Sequence, residues 1–75
     1  MLFANPRLLT VWELACGDVE ASLSFDGGDT IHFVNLDPVG SAVLNTLIEL
    51  GEINVDRPGD DGDHSDVLRV RTYHF

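Results

Sequence analysis

The sequence predicts a small two-layer α+β domain of βββαββ order, one helix packed on a mostly antiparallel sheet. Three observations predict it. Residues 19–25 alternate strictly between apolar and polar side chains, as a half-buried strand requires. An Asp-Gly-Gly-Asp turn at 26–29 runs directly into a β-branched and aromatic stretch. Finally, one segment, 37–50, carries apolar residues at three-to-four spacing between an Asp-Pro start and a Gly stop. At 75 residues the chain forms one domain, 1–75, close to the size below which a single core needs covalent staples.

In chain order, 8–14 (LLTVWEL) reads as the first strand and Ala15, Cys16, Gly17 and Asp18 as a turn. The second strand is 19–25. The third, Thr30 to Val34, returns from the glycine turn to complete a meander. Asp37 offers a carboxylate to the orphan N–H groups of a helix start, and Pro38 suits the first helical position. The stripe Val39, Val43, Leu47 and Leu50, widened by Leu44 and Ile48, is expected on the sheet, with Ser41, Asn45, Thr46 and Glu49 outward. Gly51 stands where a left-handed cap would end the helix. A short strand at 52–55 and a longer one at 67–73 follow, joined by the polar link 56–66. In the last strand Leu68, Val70 and Thr72 are expected inward, and Arg69, Arg71 and Tyr73 on the opposite face, where the arginines would pair across strands with Glu20. Trp12, Phe25 and Phe33 are expected core aromatics.

Charge is the strongest functional signal. Thirteen acids face four arginines and no lysine, for a net charge of −9. Such a surface repels nucleic acid and anionic membrane, and attracts basic proteins. Total absence of lysine also fits GC-rich coding or a salt-adapted proteome, the former favoured because Asp56, Asp60, Asp61, Asp63 and Asp66 crowd into one link. An acidic surface that merely keeps a small domain soluble accounts for the same composition. The single cysteine, Cys16, makes no internal disulfide, which fits a reducing compartment, and neither a secretion signal nor a spanning segment is visible. Cytoplasm is the expected location.

No catalytic, metal or cofactor site is expected. The 56–66 acids lack the alternate spacing and terminal Glu of a calcium loop, and His64 beside Asp63 and Asp66 is a lone imidazole among solvated acids. Cys16 with His32, His64 or His74 forms no recognisable nucleophile context. Gly27 and Gly28 sit in a hairpin rather than before a helix, so they build no phosphate cradle.

Residues 30–51, TIHFVNLDPVGSAVLNTLIELG, resemble the centre of PqqD-like peptide-recognition domains. In those a strand runs into an L-N-x-x-G-x-x-I-W-x-L-L helix opening. Leu36, Gly40, Val43 and Leu47 match, while Asp37 stands for the usual Asn and Leu44 for the Trp. The resemblance implies capture of a leader peptide as an added strand between the 30–34 strand and the helix. The family continues with two more helices, where this chain has an acidic link and a strand. In size and acidity the chain also resembles phage and mobile-element inhibitors of bacterial defence, including anti-CRISPR proteins and DNA mimics. The leading expectation is therefore a non-enzymatic inhibitor of a basic, nucleic-acid-handling partner. Asp56, Asp60, Asp61, Asp63, Asp66, Asp26 and Asp29 would form its contact surface; a leader-peptide adaptor is the alternative.

Overall fold

The structure, a computed structural model, describes residues 5–59 and 66–75. Among these residues five strands and one helix form, in the order β1 (Pro6–Leu14), β2 (Val19–Phe25), β3 (Thr30–Phe33), α1 (Pro38–Leu50), β4 (Glu52–Pro58) and β5 (Val67–His74). The sheet order is β3-β2-β1-β5-β4, and each neighbouring pair is antiparallel. The expected two-layer α+β architecture is present.

Local chemistry fixes the first three strands. Gly27 and Gly28 adopt φ of 93° and 95°, successive left-handed conformations that a side chain would oppose, and Phe25 and Asp29 close the hairpin with a 2.9 Å bond. Because β3 lies on one edge and β4 on the other, α1 has to cross the whole sheet. Thirteen helical residues span about 20 Å, which matches the roughly 19 Å between the outer strands of a five-stranded sheet. Asp37 caps the helix, accepting from the Gly40 N–H at 2.7 Å, and Pro38 follows at the first turn.

The core lies between α1 and one sheet face. Leu9 stands opposite Leu23 on one side and Tyr73 on the other, and Val11 stands opposite Ala21. Directly opposed residues share a face, so these five side chains form one apolar surface, and Leu44 of α1 seals it. Leu9 and Val11 are fully buried. Val19, Phe25, Phe33, Leu36, Leu47 and Ile48 pack around them.

Several expectations are corrected. Tyr73 is in the core, and Arg69 and Arg71 share its face, whereas Leu68 is 62% exposed. The unbroken register from Leu9↔Tyr73 to Glu13↔Arg69 sets residues 69, 71 and 73 on the α1 side, where the larger apolar area of Tyr73 is buried. Val70 is buried on the other face opposite Trp12, and the register shift between Glu13 and Leu14 leaves Leu68 without a partner position on β1. Trp12 is half-buried on the other face, opposite Glu20 and Val70. Glu20 is therefore not the partner of the arginines: β1 separates its strand from β5. On α1 the buried line runs through Leu44, Leu47 and Ile48, while Val39, Val43 and Leu50 are exposed. At 100° per residue those three fall on one flank of the helix, turned away from the line through Leu44. Ser41 is half-buried instead of outward. Gly51 is extended, at φ −82° and ψ 161°, and its role is space: an added Cβ would stand 2.9 Å from Tyr73 Cβ and 3.2 Å from Phe75 Cζ. β4 runs on through Asp56, Arg57 and Pro58, which the sequence placed in the link. Pro58 is tolerated because β4 is an edge strand.

Candidate docking surface

Elements that meet at one end of the sheet assemble the surface. The turn between β1 and β2, the start of β5 and the first turn of α1 all lie there. Ala15 donates to the Asp66 carbonyl at 2.7 Å, tying that turn to β5. Gly17, Asp18 and Val19 share a shallow depression with Asn35, Leu36 and Ser41, which brings in the helix start and its cap. Asp18, Asp66 and Asp37 are thus brought to one end, and Glu20 is the second residue of β2 at the same end. Gly59 and Asp66 flank the segment that carries Asp60, Asp61 and Asp63, residues that lie outside those described.

The arginines decide which carboxylates remain free. Arg7 pairs with Asp26 at 3.3 Å, and Arg71 with Glu13 at 3.1 Å. Arg69 grips Asp56 with two parallel bonds, Nε to Oδ1 at 2.6 Å and Nη2 to Oδ2. That fork holds the Asp56 carboxyl below its ordinary range and raises Arg69 in turn. Arg71 also lies 5.9 Å from the centroid of the Tyr73 ring, a cation–π distance. Arg57 donates to the Pro58 carbonyl at 3.1 Å.

The sequence candidates therefore divide. Asp56 and Asp26 are exposed but ion-paired within the chain; Asp66 is exposed and, among the described residues, pairs with no cation. Asp29 is exposed and, among the described residues, pairs with no cation, but it occupies the β2–β3 turn at the opposite end of the sheet. Asp18, Glu20 and Asp37 are not among the contact residues expected from the sequence, which assigns Asp37 to the helix start and Glu20 to the arginines. Each is an isolated acid in the chain, and only the placement of β5 beside β1 joins their end to the 56–66 acids.

The Cys16 thiol is exposed and donates to Asp18 Oδ2 at 3.6 Å, and no imidazole hydrogen-bonds to it among the described residues. His32 stands opposite Ser22 and His74 opposite Leu8 and Glu52, on the sheet face away from α1. Among the described residues no group of three His, Cys, Asp or Glu side chains is placed to hold a metal ion. His64 and Asp63 lie outside them. No described helix is long and apolar enough to cross a membrane. No protein-family model, curated protein or solved structure matches the chain.

Proposed function

We propose that the chain is a non-enzymatic acidic binding protein that occupies the basic groove of a nucleic-acid-handling protein or complex in the cytoplasm. An anti-CRISPR or related anti-defence role, with a phage or other mobile element as source, is the specific form of the reading. The observation that carries it is the separation of neutralised from free carboxylates. Among the described residues Arg7, Arg69 and Arg71 pair with Asp26, Asp56 and Glu13, while Asp18, Glu20, Asp37 and Asp66, which pair with no cation there, collect at one end of the sheet; Asp60, Asp61 and Asp63 lie outside the described residues. Free carboxylates on a compact body present the charge that a phosphate backbone presents, and complementarity of this kind speeds encounter and selects cationic partners. Asp56 and Asp26 contribute less, since each would exchange an internal arginine for a partner's cation. Asp29 adds charge at the far turn.

The test is competition. The protein should displace duplex DNA from a basic effector complex at low salt, with an inhibition constant that weakens as salt rises. A variant carrying Asn at Asp18, Asp60, Asp61, Asp63 and Asp66 should stay folded and lose that competition. Equal competition by the neutral variant would overturn the reading.

One observation favours the second reading, a leader-peptide adaptor. β3 is an edge strand, and beside it Ile31, Val34, Val39 and Val43 are 49%, 55%, 72% and 44% exposed. An extended apolar peptide could add there as a sixth strand. Titration with leader-type peptides would distinguish the two, since strand addition moves the amides of 30–34 rather than those of 15–20.

A further inference from the structure

A different apolar surface lies at the other end of the sheet, where α1 passes into β4. Leu50 is 71% exposed, Ile53 59% and Phe75 41%, and the three come from three separate segments. Gly51 brings Phe75 and β4 together next to Leu50: the place its Cβ would fill is 3.2 Å from Phe75 Cζ and 2.9 Å from Tyr73 Cβ, and Ile53 stands opposite Tyr73 in the β4–β5 register. The rim of this patch is negative. Glu49 adjoins Leu50 and is exposed; Glu52 is exposed as well but, opposite His74, belongs to the sheet face away from α1, and neither pairs with a cation among the described residues. The C-terminus of a helix itself carries about half a negative charge. Basic residues usually occupy its last turn, but α1 has none there. The arrangement is unfavourable in the isolated chain and is relieved by a cation from outside. An apolar centre with a charged rim is the anatomy of a protein interface.

We infer that this surface docks a cationic amphipathic helix of another protein. Its aliphatic side chains would cover Leu50, Ile53 and Phe75, and its Lys or Arg residues would meet Glu49 and the end of α1. A second copy of this chain is the wrong occupant, because it would bring the same glutamate and helix end, with −9 on each molecule. A helix fits better than an added strand. The register of β4 is broken between Ile53 and Val55 and the strand ends in Pro58, both of which interrupt the bonds an incoming strand needs. The inference stands apart from the function proposed above, since it uses the opposite end of the sheet and depends on apolar anchors.

The test is an NMR titration of the isotope-labelled full chain with a short Lys/Leu amphipathic helix, and separately with an oligolysine of equal charge. The amphipathic peptide should move the amides of 49–53 and 75 and bind at least about tenfold more tightly than oligolysine. Ile53→Ser, and independently Leu50→Lys, should each remove that advantage while the remaining spectrum stays that of the folded chain. Glu49→Gln should flatten the salt dependence. Equal affinity for oligolysine, shifts confined to 15–20 and 66, or no binding at all would each overturn the inference. Shifts that grow with protein concentration alone would also overturn it, by identifying a second copy as the occupant.

Discussion

Replacing Gly51 by alanine sets two effects of opposite sign against each other. Its backbone, at φ −82° and ψ 161°, is one that alanine adopts freely. On that ground alone the change would stabilise the fold by about 0.4–1 kcal/mol, through the reduced entropy of the unfolded chain. The new Cβ, however, would stand 2.9 Å from Tyr73 Cβ, 3.2 Å from Phe75 Cζ and 3.3 Å from the His74 carbonyl oxygen. Two of these neighbours are rigid, one a backbone atom and one the root of a core side chain, so relief requires β5 and the helix end to separate. Overpacking of this kind costs about 1–3 kcal/mol. The net expectation is a loss of about 1–2 kcal/mol, or roughly 4–16 °C in Tm for a domain of this size. Urea denaturation followed by Trp12 fluorescence measures it, with an unchanged m-value as the control. Phe75→Ala in the same background should recover part of the loss by removing the ring. A stabilised Gly51→Ala variant would refute the close-approach reasoning.

Core and surface should respond very differently to truncation. Leu9→Ala, at a fully buried position, should cost about 2–5 kcal/mol, against roughly 4–11 kcal/mol of total stability for 75 residues. Leu68→Ser, at a position 62% exposed, should change stability by no more than about 0.5 kcal/mol in the same urea assay. Asp56 should leave a mark on acid unfolding. Arg69 lowers its folded-state pKa below the ordinary 3.8, so the unfolded chain takes up the proton first as pH falls. The contribution of the pair is then complete above that ordinary value and lost as pH drops through the folded value. The Tm difference between wild type and Asp56→Asn should accordingly be present at pH 7 and close below pH 3.8; a constant difference down to pH 2 would contradict it. At neutral pH the self-repulsion of −9 outweighs surface ion pairs such as the three found among the described residues, so thermal midpoints should rise as NaCl is added up to about 0.5 M. A fall would show that the pairs dominate.

How far the sequence could be read depended on how local the determining physics was. The 19–25 alternation, the turn at Gly27 and Gly28 and the Asp37 cap are decided within a few residues, and all three are found in the structure. The inward face of β5 is decided by its register with β1, more than fifty residues away, which sets Tyr73 opposite the buried Leu9 and so turns Val70 to the other face. Leu44 rather than Val39 seals the core, because the angle at which α1 crosses the sheet is fixed by the distant placement of β3 and β4 on opposite edges. The same non-locality governs the charge. Asp56 in a run of aspartates looks free until β4 pairs with β5 and sets it beside Arg69. Asp18 looks isolated until Ala15 bonds to Asp66.

The most direct test of the docking account is competition between this protein and duplex DNA for a CRISPR effector complex, measured across a salt series. The account predicts displacement of DNA by the wild type that weakens steeply with salt, and little displacement by the variant neutralised at Asp18, Asp60, Asp61, Asp63 and Asp66. A neutral variant that displaces DNA as well as the wild type, or a wild type that displaces none at any salt, would contradict it.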